Sequence, residues 1–303
     1  MEINPEKVTA IIENFIRQKV MEYRREGVVL GMSGGIDSAV VGTLACRALG
    51  AEKVLALLLP ERDSSPSSKA DALKVIEQLG ISHREIPLTP VLTEIGIYRM
   101  LPLQMLGLRS IKESVTRDQH RRMREALHEM PFSAGLLGTK DLGKKQETLD
   151  AGNAYARIKH RTRMLMLYYV SDLENRLVLG TTNKSESMTG FVVKWGDNVA
   201  DIEPIVPLYK TQVRQLAHYL NVPQIIIDKA PSPDLIPGVV DEFALGIDYA
   251  TLDRILWSLE KGWKPDRIIS DWGVTAEQVS HVSEMTRRSE HLRSLPPAPV
   301  LDL

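Results

Sequence analysis

Ser33, Gly34, Gly35, Asp37 and Ser38 stand together between two apolar runs, Val28–Met32 and Ala39–Ala45. An apolar strand, a bare turn and the start of a helix would aim several backbone N–H groups at one point. Glycine permits the positive φ and close backbone approach that such a cradle requires. The helix N-terminus favours an anion there, and the hydroxyls of Ser33 and Ser38 add donors. The turn therefore suits a phosphate. Asp37 would repel that phosphate unless a cation lies between them, and oxygen ligands select Mg²⁺. The plain alternative is a tight βα turn with Asp37 in the first helical turn, where the dipole favours it. A Walker A loop is excluded because no Lys follows the last glycine. "GTKDLGKK" at 138–145 has that spacing, but it ends in Lys145 where a hydroxyl is required and follows no strand, so it is a coincidence of sequence.

The surrounding pattern supplies the elements to hold such a turn. Val8, Ile11, Ile12, Phe15, Ile16, Val20 and Tyr23 recur at helical spacing. Apolar runs at 28–32, 54–59 and 177–181, with shorter candidates at 83–87 and 224–228, alternate with helix-length segments. That alternation predicts βαβ units: a doubly wound, Rossmann-like α/β fold with a parallel sheet flanked by helices. One domain spans 1–303, with an insertion at 96–150 and a helical C-terminal tail over 273–303. The insertion carries ten Lys and Arg against seven Asp and Glu, which suits a solvated helix face as well as a contact surface. "APSPDLIPGVVDEF", 230–243, suits an ordered or closing loop.

Composition narrows the function classes. With 43% hydrophobic and 25% charged residues the chain can bury a large core, and a net charge of −1 gives no global attraction to nucleic acid or membrane. Cys46 stands alone, which excludes a disulfide framework, a Cys-rich zinc site and a two-cysteine sulfur relay. No signal peptide or membrane span is predicted. A cytoplasmic protein is expected.

"SGGIDS" after a strand resembles the pyrophosphate loop of the N-type ATP pyrophosphatases, of the adenine nucleotide alpha hydrolase-like fold. "LVLGTTNKSESMTGFVVKWGD", "ADIEPIVPLYKTQVRQLA", "KAPSPDL" and "DEFALGIDY", with "RTRMLMLYY", resemble consecutive blocks of the NAD synthetases, covering nearly all of the chain except 96–150. With no glutaminase domain ahead of these blocks, the resemblance is to the ammonia-dependent type, or to a synthetase fed by a separate glutaminase.

The resemblance implies ATP-dependent amidation of nicotinic acid adenine dinucleotide through an acyl adenylate, by a homodimer that uses Mg²⁺. It places Ser33, Gly34, Gly35, Asp37, Ser38, Thr181, Lys210 and Ser232 on ATP, with Asp37 and Lys210 catalytic and Asp37 and Glu186 on the metal. Arg161, Arg163, Phe191, Lys194, Asp197 and Asp201 fall on the acceptor side. From the residues alone, the alternatives are a solvated loop carboxylate for Glu186, a lone surface lysine for Lys210 and a helix-surface pairing for the two arginines. Three departures lie on the acceptor side: "GDNVAD" where the family has more glycine, Gly152-Asn153 one helical turn early, and His291-Leu292-Arg293 for a basic tripeptide. They leave open a different carboxylate acceptor, or a nucleotide-binding regulator without turnover.

Overall fold

In a computed structural model of the chain, residues 1–100, 109–127, 129–136, 144–232, 234 and 238–299 are described. The first helix, α1 (Pro5–Glu22), starts where the Asn4 side chain accepts the Lys7 N–H and Pro5 occupies a position that needs no donor. Next come β1 (Gly27–Gly31), α2 (Ile36–Leu49), β2 (Val54–Leu58), α3 (Pro66–Leu79) and β3 (Ser82–Glu85). Four helices, α4 (Thr89–Glu94), α5 (Arg109–Leu127), α6 (Pro131–Ala134) and the 31-residue α7 (Lys144–Glu174), precede β4 (Arg176–Val178).

The four strands pair in the order β3-β2-β1-β4, all parallel, with Val28 opposite both Val54 and Leu177. Buried on both faces, β1 and β2 read as unbroken apolar runs. Alternate residues serve opposite layers. Val28, Leu30, Val54 and Ala56 pack with α1 and α2, while Val29, Leu55 and Leu57 pack with Tyr155 and Val170 of α7. β3 is exposed and polar, which ends the sheet on that side. The doubly wound architecture is as expected.

Beyond β4 come α8 (Lys184–Thr189), α9 (Lys210–Tyr219), α10 (Gln224–Ile227), α11 (Asp241–Leu245), α12 (Tyr249–Glu260), α13 (Pro265–Trp272), α14 (Ala276–Arg288) and α15 (Glu290–Arg293). Leu245, Leu252, Leu256, Val279 and Val282 form a separate apolar cluster there.

One expected strand is absent: 224–228 is the single turn α10. Pro223 caps it, and Ile226 and Ile227 are both buried while Ile225 is 52% exposed. A short isoleucine run carries no period that separates a helical turn from a buried strand, and Pro223 at its start sets the turn. Residues 138–143 of the glycine-lysine run lie outside the described residues. Among the described residues no helix is long and apolar enough to cross a membrane.

Candidate active site

The bare turn lies at the carboxyl end of the central strand β1. Gly34 takes φ +76°, and a Cβ there would sit 2.2 Å from the Ser68 carbonyl oxygen, so both the conformation and the packing of α3 demand glycine. Gly35 caps α2 without a side-chain bond of its own. The Ser38 hydroxyl donates to the Gly35 carbonyl at 3.0 Å and accepts the Ser33 N–H at 3.3 Å, while Ser33 Oγ accepts the Gly35 N–H at 3.3 Å. These N–H contacts are long, and a stronger acceptor would displace them.

Three charged side chains from distant parts of the chain meet beside the turn. Lys210 Nζ, on the first residue of α9, donates to Asp37 Oδ2 at 2.5 Å and to Glu186 Oε1 at 3.1 Å. Asn183 caps α8 and holds the other oxygens: its Nδ2 donates to Asp37 Oδ1 at 3.1 Å and its backbone N–H to Glu186 Oε2 at 3.3 Å. The start of α9 is fixed in turn, because the Lys210 N–H binds Ser185 Oγ and the Thr211 N–H binds buried Asp253.

Burial opposes the Lys210 charge, but Asp37 and then Glu186 outweigh it and raise its pKa above the ordinary lysine range. Burial pushes the Glu186 carboxyl up to about 8 despite Lys210. Asp241, buried and hydrogen-bonded by Tyr249, is also raised by burial, and its Oδ1 has no partner among the described residues. One ammonium thus serves a pocket with a surplus of carboxylate. Among the described residues no trio of His, Cys, Asp or Glu forms a preformed metal cage. Two carboxylates completed by phosphate oxygens are nevertheless a donor set that Mg²⁺ takes.

All of this opens into a cavity of about 520 Å³. Ser33, Gly35, Asp37, Ser38, Thr181, Glu186, Lys210 and Ser232 line it, as do Arg163, Phe191 and Asp197. Gly34 lies beneath, against α3. Ser232 spends its hydroxyl on its own loop, accepting the Asp234 N–H and donating to the Val239 carbonyl. Phe191 stands edge-on to Phe132 at 5.0 Å. Arg161, Lys194 and Asp201 are not part of the wall. Arg161 binds the Lys194 carbonyl, Lys194 Nζ binds the His291 carbonyl at 2.6 Å, and Asp201 accepts the Val178 N–H at 2.8 Å. Asn198, in the altered "GDNVAD" element, donates to the Leu292 carbonyl, and Arg293 binds the carbonyls of Ser187 and Met188. Cys46 is half-buried, and burial raises its thiol pKa, away from a nucleophile's requirement.

Several site groups have no signal in the linear pattern. Fully buried Lys159 donates to Glu61 at 3.0 Å and Asp63 at 2.9 Å. Tyr98 also donates to Glu61 and Tyr155 to Asp63. This cluster anchors the loop after β2 that presents Ser64 and Ser65 to the cavity. Glu203 packs on Gly180, accepts the Thr182 N–H at 3.2 Å and leaves Oε1 without a partner among the described residues. His160 lies 3.6 Å from Asp197, and burial lowers its pKa.

A parallel sheet with an anion-receptive turn at the carboxyl end of its central strand, facing a lysine and paired carboxylates, defines a nucleotide-binding α/β enzyme. Comparison with known proteins carries this further. A model of the NAD synthase family matches residues 8–100 and 130–296, and the chain belongs to that family. It is 46% identical over 248 residues to the NH3-dependent NAD+ synthetase of Thermotoga maritima, covering 82% of this chain and 85% of that protein. With the NH3-dependent NAD+ synthetase of Archaeoglobus fulgidus it shares 39% identity over 303 residues, 99% of this chain and all of that one. Among solved structures, an NMN synthetase from Francisella tularensis is 29% identical, with TM-score 0.71 over 99% of this chain and 100% of that one.

Proposed function

We propose that the chain amidates nicotinic acid adenine dinucleotide to NAD, consuming ATP and ammonia and releasing AMP and pyrophosphate. Family membership supports the reaction, and the observation that carries the site assignment is Lys210 Nζ held between Asp37 and Glu186 beside the serine–glycine turn.

A carboxylate is a poor acyl electrophile, so the acceptor carboxylate oxygen attacks the α-phosphorus and the bond to the bridging oxygen breaks. Pyrophosphate leaves with the electron pair. The turn's N–H groups and the Ser33 and Ser38 hydroxyls receive phosphate oxygens, and the Lys210 ammonium offsets charge growing on the leaving group. Asp37 and Glu186 are the residues that would hold Mg²⁺, which when bound supplies further neutralisation of pyrophosphate. The ammonia lone pair then attacks the acyl carbon, AMP departs and the surplus proton passes to solvent. Arg163, Phe191 and Asp197 bind the acceptor from the wall, Phe191 offering an aromatic face to the pyridinium. Arg161, Lys194 and Asp201 shape that wall from one layer out. The dinucleotide's remote contacts position its carboxylate.

The assembly we favour is a homodimer. Leu165, Tyr169 and Leu173 form an exposed apolar stripe at four-residue spacing on α7, and Ile11 and Met21 are exposed on α1. A single cysteine and dependence on ATP support a cytoplasmic location, with ammonia free or supplied by a separate glutaminase.

With ATP, Mg²⁺ and ammonia, nicotinic acid adenine dinucleotide should give NAD and AMP in equal amounts, and free nicotinic acid should give neither. ATP labelled at the αβ bridge should scramble with the dinucleotide alone, before ammonia is added. Folded protein that forms neither AMP nor amide under these conditions would overturn the reading.

A further inference from the structure

Helix α5 lies within 101–129, the stretch between the two blocks matched by the family model. It is nonetheless built into the active site. A Cβ at Gly238 would lie 2.9 Å from the Glu113 Cα and carbonyl oxygen, so the backbone of α5 rests directly on the loop that follows Ser232. Two turns later the His120 ring packs on Phe243 of α11 at 4.8 Å, and Thr116 is buried between these anchors.

Arg117 sits one residue beyond Thr116 and joins the wall of the cavity that holds Ser33, Asp37 and Lys210, where that wall meets a second hollow along α5. Three other cations of that wall already have carboxylate partners: Lys69 with Glu85 at 2.6 Å, Lys210 with Asp37 at 2.5 Å and Lys229 with Asp71 at 3.0 Å. Arg163 is turned to the Leu59 carbonyl and Ser64 Oγ. Among the described residues Arg117 has no ion pair, not even with Glu113 one helical turn away. A guanidinium is always charged, and its planar fork of donors matches phosphate oxygens in pairs.

We propose that Arg117 is a phosphate-binding residue of this active site, carried in by a helix that the family pattern does not include. The inference rests on the reading above, that ATP and the dinucleotide share this cavity. Both carry phosphates, and the test tells them apart.

Arg117→Ala, Arg117→Lys and Arg121→Ala are to be compared by steady-state kinetics. Arg121 lies on the same helix, outside the cavity wall and paired with Asp118 at 2.6 Å. Arg117→Ala should raise KM by about tenfold or more for ATP or for the dinucleotide, the affected substrate naming the owner of the phosphate. The kcat should stay within about threefold and KM for ammonia should not move. Arg117→Lys should recover part of the loss, and Arg121→Ala should match the unmodified enzyme. Calorimetric binding of ATP and of the dinucleotide to unmodified protein and Arg117→Ala should show the same fold-loss without turnover. Failure of the unmodified protein to make NAD would therefore sink the functional reading while the binding comparison still decides Arg117. The proposal is overturned if both KM and Kd values for Arg117→Ala lie within about twofold of the unmodified protein, or if Arg121→Ala weakens binding equally.

Discussion

Lys210 faces two carboxylates, and the charge imbalance determines what each substitution should do. Asp37→Asn and Glu186→Gln each remove a negative charge that a divalent cation would share, while keeping the side-chain size. Each should lower AMP formation by roughly 100-fold or more, with the circular dichroism spectrum unchanged. Near-normal turnover by both variants at low Mg²⁺ would remove these residues from the metal. Glu203 supplies an independent test through stability. Burial, reinforced by Asp197 and Glu186, pushes its carboxyl up to about 8 against a donated Thr182 N–H. A carboxyl raised on folding binds its proton more tightly in the native state, so its stabilising effect is complete below the unfolded value and is lost as pH rises through about 8. Glu203→Gln keeps the neutral form at every pH. Its Tm should equal that of the unmodified protein near about pH 5 and exceed it by roughly 2–5 °C near about pH 8.5. Parallel melting curves across that range would show that Glu203 is not held neutral.

At the scale of elements, the loop after β2 is attached to α7 by charge as well as by packing. Lys159 is wholly buried between Glu61 and Asp63, so Lys159→Met would take the ammonium from both, leaving Glu61 with the Tyr98 hydroxyl and Asp63 with Arg62 and Tyr155. The expected loss is about 3–5 kcal/mol in denaturant unfolding, far beyond the lost side-chain contacts. A loss under about 1 kcal/mol would mean that the cluster is hydrated and not structural. This cluster also marks where sequence ceases to be readable. The serine–glycine turn is legible because its chemistry sits in six consecutive residues, and β1 and β2 are legible because burial on both faces leaves an unbroken apolar run. Lys159 lies 98 residues from Glu61 and 96 from Asp63, and nothing local marks any of the three as a partner. Lys210, 173 residues from Asp37, stood out only through resemblance. The run at 224–228 misleads because three isoleucines in a row suit a strand until Pro223 fixes a turn. Arg161, Lys194 and Asp201 came from matched blocks, and a block does not specify whether a side chain reaches the cavity or braces its wall.

At the scale of the molecule, the apolar stripe on α7 predicts assembly. Leu165→Glu combined with Leu173→Glu should convert the proposed dimer to a monomer in sedimentation analysis without lowering the helix content, since both side chains are more than half exposed. A protein already monomeric at micromolar concentration would leave that stripe without the role proposed for it. The same helix has a second face. Over fewer than four turns α7 passes from His160 and Arg163 at the cavity to Leu165, Tyr169 and Leu173 on the outside. Both groups belong to one unbroken helix. In the proposed dimer, therefore, a ligand that draws Arg163 inward also shifts the surface presented to the other subunit. Affinity for substrate and affinity of one subunit for the other become reciprocal quantities: whatever free energy one lends to the other must be returned in equal measure.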